Sequence, residues 1–410
     1  MQQYQQIINL SDSSANIKAE TPRINSKISA LKDKIRKNNF PIISNLNDDS
    51  YTKEIHSYAK KLEKFKHIII LGTGGSSLTG RSLVRTGKKS KRDKIIFLDN
   101  VDPQTFVDEL ESVDVNKCHF IVISKSGKTL ETISQLLACF EMLENDAKIL
   151  SENFTIITDP LDSTLIRIAK EKNITCLNHE KDIGGRFSIF TNVGLLPSAI
   201  TEMDIEAIRK GAKKVAHDFL KSENSEPEKG ALLHIGLMKK GIACNALMPY
   251  IDRLESFAVW YRQLWAETLG KNGKGTTPIK AMGTIDQHSQ LQLYLDGPKD
   301  KFFTLITFDS AKRGQNLANT KDKDFSYLNN KTIGDVLDAE FKATKQALIN
   351  NNCPVREIRL QNLDEEALGA LAMHFILETI IVAEILDVNP FDQPAVEEVK
   401  IIAKKLLLES

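Results

Sequence analysis

Four short apolar segments, each ending in a polar or glycine-containing turn, most strongly restrict the fold of this chain. They are HIIILG (67–72), KIIFLDN (94–100), HFIVIS (119–124) and FTIITD (154–159). Their apolar residues are continuous rather than alternating, which is typical of strands that are buried on both faces of a parallel sheet. Helical patterns separate them, and Asp102 followed by Pro103 is typical of a capped helix start. The sequence therefore predicts a doubly wound α/β unit.

The remainder of the chain predicts a second unit of the same kind. The charged segment 221–230 is interpreted as a linker, and the strand-like runs 231–238 and 302–308 follow it. We therefore expect two three-layer α/β/α domains with parallel sheets. The predicted boundaries are an N-terminal helical arm (1–50), a first domain (51–220), a second domain (221–370) and a C-terminal helical tail (371–410).

Charge and cysteine content exclude several classes of protein. The chain has 55 Lys and Arg against 54 Asp and Glu, so it lacks the basic excess of a nucleic-acid or membrane-surface protein. Its five cysteines form no CxxC pair and argue against a disulfide framework, which favours a cytoplasmic location. We expect no signal peptide, and the apolar stretch 366–386 contains His374 and Glu378, which indicates a buried helix rather than a membrane span.

The strand at 119–124 leads into a polar loop and then into a helix that is expected to begin near Thr129. The loop carries three hydroxyl groups, two ammonium groups and one glycine: Ser124, Lys125, Ser126, Gly127, Lys128 and Thr129. Free N–H groups at the helix start lie beside them, so this loop suits a phosphate group. An ordinary strand-to-helix turn with a threonine cap is the alternative.

A glycine-rich turn, Gly72 to Ser77, follows the first strand. It departs from a dinucleotide fingerprint because its sixth position is Ser77, and it lacks the Gly-Lys-Ser/Thr ending of a P-loop. A turn that lines a small polar substrate fits better. A glycine turn that serves only the backbone remains the alternative.

The segment 253–271 predicts an amphipathic helix that ends at Gly270. Glu267 projects beside its apolar stripe, and Gln263 lies one turn earlier. Apolar surroundings favour the neutral form of a carboxyl group and make it a better base, so Glu267 is a candidate general base. The alternative is a surface glutamate paired with Lys271.

Two further segments carry candidate catalytic groups. In 283–297, His288 is expected in the first turn of a helix capped by Asp286, where the helix dipole keeps the ring neutral and able to carry protons. Arg186 follows two glycines that permit close approach, so its guanidinium can stabilise an oxyanion. A structural histidine and a structural salt bridge are the respective alternatives.

The C-terminal segment 387–409 predicts a helix that begins at Pro394. Gln393 and Lys400 lie two turns apart on one face, and Lys400 leans toward the apolar side. That side is expected to be packed, and its residues are Val396, Val399, Ala403 and Leu406. A lysine that only extends its charge to solvent is the alternative.

Six of these segments, in this order, closely resemble the phosphoglucose isomerase family. They are GTGGSSL (72–78), SKSGKTLET (124–132), GGRFSIFTNVGLLP (184–197), QLWAETLGKNGKGTTP (263–278), GTIDQHSQLQL (283–293) and NPFDQPAVEEVK (389–400). The resemblance implies two sugar-isomerase (SIS) domains and a homodimer with its active site at the subunit interface. It also implies interconversion of glucose 6-phosphate and fructose 6-phosphate in glycolysis and gluconeogenesis, without metal or organic cofactor.

The resemblance also implies roles for individual residues. The phosphate is held by Ser124, Lys125, Ser126 and Thr129, with Gly75 and Ser76 nearby and Gln263 among the substrate-binding residues. Glu267 moves a proton between C2 and C1 through a cis-enediolate, and Arg186 stabilises that enediolate. His288 assists ring opening from the neighbouring subunit. Lys400 contacts the region of the ring oxygen, and Gln393 orients the substrate.

The sequence is also compatible with two other functions. One is a dual phosphoglucose and phosphomannose isomerase, because a few contacts decide between epimers. The other is a non-catalytic SIS module that binds sugar phosphates. Such a module keeps the loop 124–129 but has no need of Glu267 and His288, so the presence of both favours an enzyme.

Overall fold

The chain forms two five-stranded sheets with helices packed against them. The computed structural model describes residues 3–9, 21–37, 40–48 and 50–409. Within these residues the strands are β1 Tyr4–Asn9, β2 His67–Leu71, β3 Ile95–Leu98, β4 Cys118–Ile123, β5 Phe154–Thr158, β6 Thr175–Asn178, β7 Cys244–Pro249, β8 Thr277–Lys280, β9 Lys301–Phe308 and β10 Val355–Leu360. The predicted α/β class with parallel sheets and a helical C-terminal tail is confirmed.

The described α-helices connect and cover these strands. They are α1 Thr21–Arg36, α2 Pro41–Ser44, α3 Ser50–Lys61, α4 Gly75–Val84, α5 Lys89–Arg92, α6 Pro103–Glu111, α7 Leu130–Met142, α8 Ala147–Asn153, α9 Thr164–Lys172, α10 Asn192–Ile200, α11 Ile205–Lys221, α12 Glu226–Lys239, α13 Glu255–Leu269, α14 Leu291–Asp296, α15 Ile333–Asn350, α16 Glu365–Ile385 and α17 Glu397–Glu409.

The first sheet is entirely parallel, with the strand order β3-β2-β4-β5-β6. Both of its faces are covered, because Ile68 and Ile70 of β2 join one apolar core while Ile69 and Leu71 join another. All four strands read from the sequence are present, and Asp102 caps α6 as predicted, its carboxylate accepting from the Thr105 N–H. The chain reverses its direction across the sheet between β2 and β4. Loops that follow these two strands therefore border one crevice.

The second sheet has the order β1-β10-β9-β7-β8, and only β1 runs antiparallel within it. The structure differs here from the predicted helical arm over 1–50, because residues 4–9 form an edge strand. Tyr4 pairs with Leu360, and the phenol of Tyr4 reaches Nδ1 of His374 at 2.7 Å. The N-terminal segment is thus fixed to the second sheet; 1–2, 10–20, 38–39 and 49 lie outside the described residues.

The predicted strand at 231–238 is wrong, because this segment lies inside helix α12. Ser225 and Glu228 form a capping box at its start, with the Ser225 N–H donating to the Glu228 carboxylate at 2.6 Å. The last five residues of the predicted linker 221–230 belong to the same helix. An apolar run of this length is compatible with either a buried helix or a buried strand. The capping residues Ser225 and Glu228 are the feature that identifies the helix.

Helix α16 is the central helix of the core and packs against α11, α12 and α13. It is long and apolar enough to cross a membrane by length and composition, but 89% of its most apolar window is buried inside the protein. It is therefore a core helix, as its sequence predicts. The helix continues through residue 370, so the predicted boundary between the second domain and the C-terminal tail falls within one element.

A buried ion pair joins α16 to the second sheet. Arg356 of β10 and Glu378 are both fully buried, and the Arg356 Nη2 donates to Glu378 Oε1 at 3.1 Å. Burial raises the pKa of the Glu378 carboxyl, but the Arg356 charge and hydrogen bonds from two histidines outweigh it and hold that pKa well below its usual value. Removing either partner would leave an uncompensated charge in the core and lower the stability of the fold.

Helix α17 contacts little of the described chain, and all of its described residues lie at least partly in solvent. The predicted packed stripe is therefore wrong for a single chain. Six of its apolar side chains are 50–78% exposed, namely Val399, Ile401, Ile402, Leu406, Leu407 and Leu408. An exposed apolar helix of this size indicates a surface that contacts another molecule.

Replacing Glu378 by leucine is expected to lower the free energy of unfolding by about 3–5 kcal/mol, because it leaves a buried guanidinium without its counter-charge. Urea unfolding followed by far-ultraviolet circular dichroism measures this loss. Glu384→Leu is the control, since Glu384 pairs with Lys34 at the surface and such pairs contribute about 0–1 kcal/mol. Equal losses in both variants would contradict the importance of the buried pair.

Candidate active site

The two loops that the sequence singled out lie side by side at the carboxyl edge of the first sheet. The turn 72–75 follows β2, and the loop 124–129 follows the adjacent strand β4. Each leads directly into a helix, α4 or α7, and neither helix has a side-chain hydrogen bond at its N-cap. Two sets of uncapped N–H groups thus face the same crevice, an arrangement that attracts anions.

The loop 124–129 is held in a tight conformation by its own hydroxyl groups. Ser124 is buried and its hydroxyl contacts that of Thr129 at 2.8 Å, while the Ser126 hydroxyl accepts from the Lys128 N–H at 3.2 Å. Gly127 has φ +60°, and a Cβ at this position would lie 2.2 Å from the Ser163 hydroxyl. The loop therefore requires glycine at its tip, as expected for backbone that approaches a ligand closely.

Lys125 links the loop 124–129 electrostatically to the rest of the site. Burial lowers the pKa of the Lys125 ammonium, Asp159 and Asp182 oppose this change, and the nearby charge of Arg186 adds to it. His179, which the sequence did not single out, lies close by, and its burial lowers the pKa of its ring to about 4. Lys125 is thus a partly desolvated cation of this loop, and it is close enough to Arg186 for the two charges to repel each other.

The glycine turn packs directly on the segment that precedes Arg186. A Cβ on Gly75 would lie 2.3 Å from the carbonyl carbon of Gly185, and one on Gly74 would lie 3.0 Å from Gln263 Nε2. Only backbone without side chains allows this approach. Three segments that are far apart in sequence, 72–77, 184–186 and 263–268, therefore meet at one point. Ser76 lies in the first turn of α4 beside it.

Arg186 is buried at the centre of the site, and every nitrogen of its guanidinium is used. Nε donates to the Thr268 hydroxyl at 3.0 Å, and Nη1 donates to Glu267 Oε2 at 3.2 Å and to Gln393 Oε1 at 2.7 Å. Nη2 donates to the carbonyl oxygens of Pro390 at 2.6 Å and Asp392 at 3.2 Å. One side chain thus joins α13 to the turn that precedes α17.

Glu267 lies at the open side of this arrangement, with 31% of its side chain exposed. Its Oε2 accepts from Arg186, and its Oε1 accepts from Gln263 Nε2 at 2.9 Å. The alternative pairing with Lys271 is not what the structure shows, because Lys271 contacts Asp392 at 2.9 Å. Glu267 is fixed in orientation by two donors and remains accessible from the crevice.

Two predicted site residues are not brought to this point by the single chain. His288 is exposed and follows a short 3₁₀ turn, Ile285–Gln287, before α14 begins, so it does not occupy the first turn of that helix. Lys400 is exposed on α17, where its ammonium contacts Glu397 at 2.6 Å. Within the described residues neither side chain has a contact with Glu267 or Arg186 in this structure.

Sequence reasoning missed Thr268, Lys271 and Asp392, which surround Arg186 and the turn after Pro390. Thr268 follows the candidate base on α13, Lys271 lies just beyond the end of that helix, and Asp392 precedes Gln393. No spacing rule links segments that are so far apart in the sequence, so only the folded chain reveals these contacts. His179 could have been suspected as a site residue from the sequence, because it lies shortly before the Gly184-Gly185 pair.

Two largely parallel sheets, two loops that lead into uncapped helix N-termini and a carboxylate bound by a buried arginine are the features of a sugar-phosphate isomerase of the SIS type. A model of the family described as phosphoglucose isomerase matches residues 17–410. A probable glucose-6-phosphate isomerase from Methanococcus maripaludis is 34% identical, and the alignment covers 98% of this chain and 92% of that protein. The chain therefore belongs to the phosphoglucose isomerase family.

Solved structures agree with this assignment at the level of the fold. A hypothetical protein from Thermus thermophilus superposes with a TM-score of 0.86 at 28% identity, covering 98% of this chain and all of that one. A glucose-6-phosphate isomerase from Chlamydia trachomatis superposes with a TM-score of 0.74 at 21% identity, covering 87% of this chain and 73% of that one. The arrangement of both sheets is thus shared with experimentally determined structures.

Replacing Gly75 by alanine is expected to lower isomerase kcat/KM about 100-fold, since the added Cβ pushes the turn 72–77 away from Gly185 and shifts the site by about an ångström. Steady-state kinetics and a thermal melt measure the effect. Gly184→Ala is the control, because its nearest neighbour atom would be 3.6 Å away and its φ is −66°. Wild-type kinetics in Gly75→Ala would show that this close approach does not set the geometry.

Proposed function

We propose that this chain catalyses the interconversion of D-glucose 6-phosphate and D-fructose 6-phosphate in the cytoplasm, as a step of glycolysis and gluconeogenesis. The observation that carries the proposal is the fixed pair Arg186–Glu267. Gly185 next to this arginine packs against the glycine turn after β2, and the adjacent strand β4 leads into the loop 124–129. The five cysteines are unpaired, which suits a reducing compartment.

The phosphate anchors the substrate. Ser124, Lys125, Ser126 and Thr129 hold it at the carboxyl end of β4, and the N-terminus of α4 at Gly75 and Ser76 adds backbone N–H groups. The phosphate does not react, but its binding energy holds the two reacting carbons beside Glu267. Gln263 and Gln393 contact the sugar, since each lies within hydrogen-bonding distance of a site residue, Glu267 or Arg186.

The chemical step is a proton transfer between adjacent carbons. After ring opening, the Glu267 carboxylate removes the proton from C2, and the electron pair of the C–H bond forms an enediolate as the C1 carbonyl oxygen gains negative charge. The Arg186 guanidinium faces that charge. Glu267 then returns the proton to C1. The proton of the C2 hydroxyl passes to the C1 oxygen, so that C1 carries the hydroxyl group and the C2 oxygen becomes the ketone. The reaction requires a base and an oxyanion partner, so no metal or organic cofactor takes part.

We further propose that the active enzyme is a homodimer. His288 is exposed, and no hydrogen bond between it and Glu267 is described. Helix α17 presents an apolar surface that the described chain leaves uncovered. A second copy that covers this surface would supply His288 to the site and turn Lys400 toward the sugar. In that arrangement His288 assists ring opening and Lys400 contacts the ring oxygen.

The alternatives differ in what they require of this site. A non-catalytic binding module has no need to orient a carboxylate with two donors, as Gln263 and Arg186 orient Glu267. A dual phosphoglucose and phosphomannose isomerase requires the same base and differs only in contacts to the C2 substituent. Comparable kcat/KM values on mannose 6-phosphate and glucose 6-phosphate would favour the dual enzyme.

The proposal is tested by a coupled assay that follows glucose 6-phosphate formed from fructose 6-phosphate, with and without a chelator. We expect turnover that the chelator leaves unchanged. The absence of turnover in folded protein would overturn the proposed function, and loss of activity on chelation would overturn the metal-free mechanism.

Replacing Glu267 by glutamine is expected to reduce kcat about 10²–10⁴-fold, because an amide cannot accept the C2 proton. Inhibition by inorganic phosphate should persist, since the loop 124–129 is unchanged. The control is Glu255→Gln, which alters an exposed carboxylate at the start of the same helix. Full turnover in Glu267→Gln would exclude this residue as the base.

Mixing two inactive variants tests whether His288 acts across the dimer. A hybrid of Glu267→Gln and His288→Ala chains contains one intact site if each site combines Glu267 and His288 of different subunits. Random pairing of equal amounts then restores about one quarter of the wild-type activity. Refolding the mixture and assaying it measures this recovery. No recovery, despite hybrid dimers detected by native mass spectrometry, would contradict a shared site.

A further inference from the structure

The turn 389–393 is held from two sides. Arg186 binds its backbone from within the site, as described above. On the other side Lys271, with only 10% of its side chain exposed, places its ammonium 2.9 Å from Asp392 Oδ1 and also contacts the carbonyl oxygen of Asn389. The turn therefore lies between two cations that both come from the surroundings of Glu267.

Lys271 is well placed to couple this turn to the candidate base. It follows Glu267 by four residues and lies just beyond the C-terminus of α13, where Gly270 ends the helix. A cation here also complements the negative end of the helix dipole. The Lys271 N–H donates to the carbonyl oxygen of Leu269 at 2.8 Å, which attaches Lys271 to the end of α13. A group fixed by Lys271 therefore has a defined position relative to Glu267 on that helix.

The contacts within the turn show that Asp392 transmits this constraint. Its other oxygen, Oδ2, accepts from the Asn389 side chain at 3.0 Å, and the Phe391 N–H donates to that asparagine at 3.0 Å. The hydrogen bond from Lys271 holds the pKa of the Asp392 carboxyl below its usual value. The carboxylate thus ties the turn together and ties it to Lys271. Gln393 follows immediately and reaches Arg186.

We propose that Lys271 is a positioning residue of the isomerase reaction, which holds the Asn389–Asp392 turn so that Gln393 and the start of α17 are presented beside Glu267. The inference rests on the proposed function. Lys271 itself has no described contact with the loop 124–129, so it sets the geometry of the sugar end and leaves the phosphate end unchanged. Lys274, whose ammonium contacts the carbonyl oxygen of Leu386 at 2.6 Å, secures the chain just before the turn.

Replacing Lys271 by methionine keeps the length of the side chain and removes its charge. We expect kcat to fall about 10- to 100-fold, since the sugar-binding groups are displaced by a fraction of an ångström to an ångström. The inhibition constant of inorganic phosphate should stay within about twofold of the wild type, because the anion loop is intact. Lys271→Arg should recover most of the loss, since it keeps a cation near Asp392.

Two further measurements separate positioning from general destabilisation. Hydrogen exchange followed by mass spectrometry should become faster in 387–396 of Lys271→Met and stay unchanged in 255–268. Asp392→Asn should reproduce the kinetic defect, and the double variant should be no worse than either single one, because both remove the same contact. This second variant also keeps the test available if Lys271→Met folds poorly.

Lys280→Met is the matched control, because Lys280 pairs with Glu255 at the opposite end of α13. It should retain wild-type kcat. Equal kcat losses in Lys280→Met and Lys271→Met, or a wild-type kcat in Lys271→Met, would overturn the role of Lys271. An inactive wild-type enzyme would instead overturn the proposed function, so the two failures are distinguishable.

Discussion

The guanidinium of Arg186 is the interaction on which the site depends. It carries a full charge in a buried position, and burial lowers its pKa while the Glu267 carboxylate opposes that change. A buried cation is tolerated only when its donors are satisfied. Here the acceptors come from α13 and from the turn before α17, so satisfying one side chain forces two remote parts of the chain together. The catalytic geometry follows from a requirement of stability.

This arrangement also explains why glycine is concentrated at the centre of the site. Arg186 reaches α13 only because Gly185 lies directly against Gly75, with no side chain between the two backbones. The Trp260 ring nitrogen then donates to the Arg186 carbonyl oxygen at 3.0 Å, which fixes the backbone of the arginine as well as its side chain. The glycine turn 72–77, Glu267 and Arg186 are thus positioned by backbone contacts within the core.

The fold was largely readable from the sequence, and the errors have physical causes. Strands β2 to β5 were predicted because an apolar run followed by a polar turn has few other solutions in a parallel sheet. The run 231–238 has the same composition but belongs to α12, and only the Ser225–Glu228 capping box distinguished the two. Strand β1 was missed because its partner, Val355–Leu360, lies near the other end of the chain. Local pattern carries no information on such pairing.

The site was less readable, because it is assembled from distant segments. Spacing identified Glu267 and Arg186 as candidates, each with an ordinary structural alternative, and family resemblance joined them. The contacts of Lys271 and Asp392 had no sequence signal. The roles of His288 and Lys400 remain predictions, since they depend on the proposed dimer.

The pairing of β1 with β10 has a consequence for how the polypeptide acquires its structure during synthesis. Strand β1 leaves the ribosome long before β10, the strand with which it pairs, has been synthesised. Until then Tyr4 has no His374 to contact, and the edge of β10 does not exist. The second sheet therefore completes this edge late, and β1 stays unpaired until β10 is made, which leaves it open to premature association.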